Sequence, residues 1–338
     1  MSVFNSVTQL LIGIGVFLVG VVMLTNKFRC PSKKIYNYFE THCKNRTSSM
    51  LMGTGVTAIT QSSTATSVIA IALINGGVIS LFQATGIIMG ANVGSALTTL
   101  ATTFTAFPIA TYFMLLTFVG ASIQLVTKSD RWHYIGDILI SIGIPFVGLH
   151  LMGRAFRDNE TLTNAFQSMF EIVTNPMVLI LLGTLFTMIL QSSTAATGMY
   201  VVMIANDLMS IQAAIWLVIG ANIGTSFTAI IASIAGNRSA KRVALMHVLF
   251  NVIGAVLFTA IIWPLQGILI PWYGGLAMAP VWQLTVFHAI YNVGTMLALI
   301  WFIHPLCKLV EWMIPDKKIK EDKELCDGCE KISLAKTE

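Results

Sequence analysis

Long apolar stretches fill this chain, and short polar strings interrupt them. Val3 to Leu24 carries no charge over about the length that crosses a hydrocarbon core, which predicts a transmembrane helix. No Lys or Arg precedes it, so it reads as a retained helix rather than a signal peptide. Asn26 to Arg46 then turns basic, with Lys27, Arg29, Lys33, Lys34 and Lys44. Met50 to Ile74 is apolar at both ends and polar around Gln61, and Asn75-Gly76-Gly77 breaks it. Leu81 to Phe104 is apolar but holds Gly90-Ala91-Asn92-Val93-Gly94-Ser95, which predicts a helix unwound at mid-membrane. Spans follow at Phe107 to Val126 and at Tyr134 to Met152, and a less apolar segment leads to Pro176, a residue suited to opening a helix.

The second half repeats the first. Gln61-Ser62-Ser63-Thr64-Ala65 recurs as Gln191-Ser192-Ser193-Thr194-Ala195, 130 residues on, and Asn92 recurs as Asn222 at the same offset. The two copies align without a gap from Gly53/Gly183 through Thr98/Thr228, and Gly90-Ala91-Asn92 with Gly94 matches Gly220-Ala221-Asn222 with Gly224. The first helix joins at an offset of 128, through Gly15/Gly143, Gly20/Gly148 and Arg29/Arg157. A period this long is a duplication of a whole unit, not a solenoid repeat. A basic loop, Gly236 to Arg242, then precedes a span from about Val243 to Trp263, a Pro/Gly/Trp-rich loop, a last span at Val281 to His304, and a charged tail from Lys308.

These boundaries give a first repeat unit at 1–130 (hairpin about 50–75, broken helix 81–104) and a second at 131–265 (hairpin about 176–206, broken helix 211–235). A loop with an extra helix occupies 266–307, and a cytoplasmic tail 308–338. If each glutamine string tips a re-entrant hairpin, Asn26–Arg46, Lys128–Arg131, Gly236–Arg242 and the tail all fall on one side. The positive-inside rule makes that side cytoplasmic, with the amino terminus outside and the carboxyl terminus inside. The expected fold class is therefore an all-α polytopic membrane protein of two inverted-topology repeats, each with a re-entrant hairpin and a broken transmembrane helix, in seven spans plus two hairpins.

Composition agrees. The 338 residues are 55% hydrophobic and 10% charged, against roughly 25% charged in soluble domains. The net charge of +5 lies in loops and tail, which points to membrane topology and not to nucleic acid. Five cysteines, Cys30, Cys43, Cys307, Cys326 and Cys329, sit in or beside basic segments, an odd number in expectedly reducing surroundings, against a disulfide framework.

Polar strings inside hydrocarbon are costly unless they form a site. No Lys or Arg lies in the apolar parts of either repeat, so an anion would be held by hydroxyls and by helix amino-terminal N–H groups, with bound cations compensating its charge. Sodium, a hard cation, would take carbonyl, hydroxyl and amide oxygens. Ser62, Ser63, Thr64, Ser192, Ser193 and Thr194 suit either role, while Gln61, Gln191, Asn92 and Asn222 offer donors and acceptors; Thr225 completes the candidate set. Sodium would be shared among Gln61, Ser62, Gln191, Ser192 and Thr194. Isolated threonines such as Thr111 read as helix glue.

The paired glutamine strings and downstream Gly-Ala-Asn-x-Gly segments resemble the type II sodium/phosphate cotransporters and their bacterial relatives, over about Leu10 to Trp263. The resemblance implies sodium-driven uptake of inorganic phosphate through one central site lined by both strings. The large extracellular loop of the eukaryotic members is absent between the halves, and the tail is too short for the carboxy-terminal helical domain of many bacterial relatives. The ligands implied are sodium, phosphate and the surrounding lipid, with no other cofactor, in a multi-pass protein of the cell inner membrane that could self-associate. The alternatives are a sodium-coupled carrier of sulfate or a carboxylate, or an anion sensor that moves nothing.

An enzyme is disfavoured: no paired carboxylates, nucleophile with base, or metal cluster stands out. Asp137 is the clearest intramembrane carboxylate, or else a solvated group at a cytoplasmic helix end. His150, His247, His288 and His304 have no metal-ligand spacing and read as packing; Cys326 and Cys329 form a lone pair in the tail. Two glycosylation-type sequons, at Asn45 and Asn237, fall in loops assigned to the inside.

Overall fold

A computed structural model describes residues 2–27, 39, 41–103, 110–234 and 236–316. The basic segment after Lys27, the tail beyond Asp316, and Cys30, Cys326 and Cys329 lie outside them. The described chain is helical, with no strand among its described residues. In order the helices are α1 (Val3–Lys27), α2 (Arg46–Thr60), α3 (Ser63–Asn75), α4 (Leu81–Thr103), α5 (Ala110–Val126), α6 (Asp130–Arg157) and α7 (Glu160–Ile172). They continue as α8 (Pro176–Leu190), α9 (Ser193–Ala205), α10 (Ile211–Ser233), α11 (Arg238–Gly274), α12 (Pro280–Leu299) and α13 (Ile303–Met313). Among the described residues five helical segments, in α1, α6, α10, α11 and the run from α12 through α13, are long and apolar enough to cross a membrane. Helix starts are set by polar caps: Asn45 forms a capping box with Ser48, Asn175 caps α8 ahead of Pro176, and Asn159, Ser210 and Asn237 cap α7, α10 and α11.

Helix direction follows from the glycines. In the first repeat Gly86 meets Ser49, Gly90 meets Met50, and Gly94 meets Thr54 and Thr57, so α2 and α4 run parallel. α3 must therefore lead the chain back from the top of α2 to the bottom of α4. The side-chain amide of Gln83 donates to the Cys43 carbonyl, closing the base of this helical hairpin. The second repeat reproduces two of these contacts, Gly220 against Ile180 and Gly224 against Thr184 and Thr187, and its Gly183 meets Leu217 as Gly53 meets Ile87; Gly86 has Trp216 as its counterpart. Thr54 donates to the Gly90 carbonyl and Thr184 to the Gly220 carbonyl, each at 3.1 Å.

Asn75 at the base of the first hairpin accepts from the Asn237 backbone N–H, just past the far end of α10. The second hairpin's base, at Asn206 and Asp207, instead meets Arg157 and Gln167. The hairpins thus point at each other from opposite ends of the molecule. α6 lies antiparallel to α1, where Gly148 meets Phe17 and Gly20 meets Pro145, and antiparallel to α5, where Gly120 meets Gly136. Arg46, Lys128, Arg131, Arg238, Lys241, Arg242 and Lys308 consequently gather at the first hairpin's end. There the guanidinium of Arg242 holds Asp316 at 3.0 Å and the Ile314 carbonyl at 2.9 Å. Asp158, Glu160 and Asp207 belong to the opposite end, with Arg154 and Arg157 beside them.

Two expectations change. The Gly-Ala-Asn-x-Gly segments are not unwound: α4 and α10 are continuous helices across them. Their glycines remove side chains where the hairpin's first arm presses against the helix, and a small-residue interface needs no break. The helix interruption falls at Gln61-Ser62 and Gln191-Ser192 instead. The Pro/Gly/Trp-rich loop also starts later than expected, because α11 continues through Pro264 and Pro271 to Gly274. In addition, the weakly apolar segment before Pro176 contains the amphipathic helix α7.

A methyl at Gly53 would fall inside van der Waals contact of the Ile87 backbone, while one at Gly55 meets open space. Gly53→Ala should lower stability by about 2 kcal/mol through overpacking, and Gly55→Ala should leave it unchanged. Melting of the two purified variants beside the parent protein checks this.

Candidate functional site between the hairpin tips

Each glutamine string makes a tight turn between two short helices. α2 and α3 have 15 and 13 residues, as do α8 and α9, or roughly 20 Å each, too short to cross a bilayer alone. Gln61 and Gln191 take left-handed conformations, φ 52° and 53°, a geometry that costs a non-glycine residue about 1–2 kcal/mol. Ser62 and Ser192 then cap the next helices, accepting from the Ala65 and Ala195 N–H groups at 3.1 and 3.2 Å. The N–H groups of residues 63 and 64, and of 193 and 194, have no acceptor inside their own helices, as at any helix start.

The two tips touch. Thr64 Oγ1 donates to the Gln191 carbonyl at 3.1 Å, and the hydroxyls of Thr194 and Thr98 pair at 3.1 Å. Thr57 and Thr66 join the two arms of the first hairpin by a 2.7 Å hydroxyl bond. Ser63 and Ser193 are buried, Thr64 and Thr194 are half-buried, and both glutamine residues are exposed. The amino-terminal ends of α3 and α9, each with a positive dipole end, thus both lie at the touching tips. The last carbonyls of α2 and α8 stand beside them with a negative dipole end. Among the described residues no group of three His, Cys, Asp or Glu could hold a metal, and the tips present neutral amide, hydroxyl and carbonyl groups.

Eight of the eleven candidate residues are therefore on the two tips: Gln61 through Thr64 and Gln191 through Thr194. Asn92, Asn222 and Thr225 belong to the continuous helices. Asn222 donates to the Val218 carbonyl and Thr225 to the Ala221 carbonyl. Asn92 shares a helical stripe with Thr85 and Thr99, which meet Cys307 and His288 and so face α12 and α13. Thr98, Thr57 and Thr66 were outside the candidate set. The identities Thr57/Thr187 and Thr98/Thr228 were the available signal for two of them, whereas Thr66 has Ala196 as its counterpart. Asp137 is half-buried at the start of α6 and accepts from Gln124 at 2.7 Å, far from the tips in the fold.

The sequence profile of the family described as Na+/Pi-cotransporter matches residues 6–154 and 159–269, which contain both hairpins and both inner helices. The chain belongs to the Na+/Pi-cotransporter family. It is 32% identical over 266 residues to "Putative inorganic phosphate export protein YjbB" of Escherichia coli O157:H7, covering 78% of this chain and 48% of that protein. It is 27% identical over 261 residues to "Uncharacterized protein YqeW" of Bacillus subtilis, 77% of this chain and 82% of the relative. Human "Sodium-dependent phosphate transport protein 2B" is 32% identical over 127 residues, 35% of this chain and 18% of the relative. The chain thus spans about half the length of the YjbB proteins it matches. No solved structure matches.

The family membership and apolar helices make this a multi-pass membrane protein. The left-handed glutamines give a test that needs no substrate. Gln61→Gly should raise stability by about 1 kcal/mol by relieving the backbone, whereas Gln61→Val should lower it. Thermal melting of the purified variants reads both.

Proposed function

We propose that the protein is a sodium-coupled carrier of inorganic phosphate working by alternating access, with its ion site between the two hairpin tips. The observation that carries this reading is the contact of the two hairpin tips, in which Thr64 in the first turn of α3 donates to the carbonyl of Gln191, the residue between α8 and the cap of α9. Orphan N–H groups at N1 and N2 of α3 and α9, with the hydroxyls of Ser63, Thr64, Ser193 and Thr194, suit an oxyanion. Carbonyls at the ends of α2 and α8, with the amide oxygens of Gln61 and Gln191, suit sodium. Phosphate and sodium are also the ions named by the family description and by the human relative. Asn92 and Asn222 act in this reading by shaping the helices behind the tips.

In the same reading the repeats are inverted in the membrane and each hairpin is re-entrant, entering to its tip and leaving on the side it came from. The gathering of cations at the first hairpin's end supports a cytoplasmic assignment for that end. Labelling of single-cysteine variants at residue 128 and at residue 207 in sealed inner-membrane vesicles tests the topology. Opposite sidedness is expected; equal accessibility from one side would reject inversion.

Direction is a separate matter, since a relative is named for export. Purified protein in proteoliposomes should move labelled phosphate down an imposed sodium gradient, inward or outward as the gradient is set. Flux unchanged when choline replaces sodium would refute the coupling. Gln191→Ala should cut sodium-dependent flux at least about 100-fold by removing a liganding amide at the tip; full activity would refute the site. Competition by sulfate decides between phosphate and another oxyanion, and phosphate binding without flux would favour a sensor.

A further inference from the structure

A cavity of about 300 Å³ lies between the second hairpin and the helices around it. Its walls come from α1, α6 and α7 on one side and from α8, α9 and α10 on the other. α7 is fastened over it by polar contacts at its rim: Thr163 donates to the Phe156 carbonyl and Gln167 to the Asp207 carbonyl, each at 2.9 Å. Phe166 also meets Phe156 edge-on, with ring centroids 5.1 Å apart. The apolar face of this amphipathic helix, Phe166, Met169 and Phe170, lines the cavity. Because α7 joins the end of α6 to the start of α8, the cavity sits within about two helical turns of the end of the molecule that carries Asn206 and Asp207.

The lining is almost wholly apolar. Water needs two or more polar partners to stay in such a space, whereas apolar cavities of about 150 Å³ remain dry and take up small hydrocarbons. The cavity also has a way in. Met169 on α7 and Leu182 on α8 line it and are 41% and 39% exposed, while Met199 and Met203 on α9 line it at 8% and 9%. It therefore runs from the surface, where α7 and α8 contribute, to the buried face of α9. Beside that mouth α8 exposes Leu181 and Leu185, so the surface there is one that faces hydrocarbon. Methionine side chains, unbranched and polarizable, suit a wall that must fit a flexible apolar guest.

We propose that this cavity binds one acyl chain of a bilayer phospholipid, which enters between α7 and α8 from the adjoining leaflet. The bilayer presents acyl chains at the mouth, and the walls offer them apolar contact and nothing else. Charges at this end are mixed, with Arg154 and Arg157 beside Asp158 and Glu160, so the site selects the chain and not the charge of the headgroup. A chain held here fills the space between α9, which runs on to the tip at Ser193, and the α1 and α6 pair. The proposal does not depend on phosphate or sodium, because no residue of either glutamine string lines the cavity.

The test uses the purified full chain in phosphatidylcholine vesicles doped with a phosphatidylcholine that carries a photoactivatable diazirine near the end of one acyl chain. After illumination, mass spectrometry of the digested protein locates the adducts. Adducts are expected on Met199 or Met203, which lipid confined to the outer surface does not reach, as well as on Phe118 of α5, an exposed reference position. Leu182→Trp puts an indole at the mouth and should cut the α9 adducts at least about tenfold, since close-packed space cannot hold both groups. Labelling of Phe118 should stay as in the parent. Adducts on Phe118 with none on α9 would overturn the proposal, and so would α9 adducts that Leu182→Trp leaves unchanged. Should Leu182→Trp fail to fold, Met169→Trp blocks the mouth from the α7 side, with the same expected loss and the same overturning result.

Discussion

Everything in this protein depends on where two helices stop inside an apolar environment. A backbone group released in hydrocarbon must find a partner, so a helix is interrupted there only when the turn is closed locally or lines a site. Here both interruptions use the same parts: a glutamine in the left-handed region, then a serine that caps the next helix. The strain at glutamine and the cap at serine are opposed, and the turn exists because the cap and the neighbouring helices hold it. The turn also makes the ends of four short helices converge, and that convergence is the chemical content of the candidate site.

Short arms need a support, which the inner helices α4 and α10 supply. Glycines at 90 and 94, and at 220 and 224, let backbones approach until Thr54 and Thr184 reach carbonyls of the facing helix. Lipid offers no hydrophobic drive for helices to associate, so close contact and these interhelical hydrogen bonds do that work. The duplication is thus visible twice, as identical residues and as identical contacts.

The location of the interruption could be read from residues alone, since Gln-Ser-Ser-Thr-Ala is polar in apolar surroundings and occurs twice. The Gly-Ala-Asn-x-Gly segments were misread for a physical reason. Glycine weakens a helix in water, but in a membrane a helix keeps all its backbone bonds at a glycine and gains proximity to its neighbour. Pro264 and Pro271 show the same limit, because a proline within a membrane helix need not end it. The contact between Thr64 and Gln191 joins residues 127 positions apart and left no periodic trace. His288 has no ligand spacing along the chain, and only the folding of α12 against α4 brings it to the Thr99 hydroxyl.

A neutral tip suits a carrier in a way that an arginine would not. A guanidinium in the membrane interior carries its charge in every state of the protein, and it would require a partner whenever the anion left. A helix amino terminus carries about half a charge, spread over N–H groups that the hairpin itself orients, and it is balanced by the carbonyl end of the preceding arm a few residues away. An empty site of this design has small net charge, so crossing the membrane without ligand is not prohibitive. When an anion binds alone, however, its charge exceeds what the dipoles offset, and a cation at the neighbouring carbonyls becomes favourable. For the proposed carrier, coupling between phosphate and sodium would then follow from the absence of lysine and arginine at the tips.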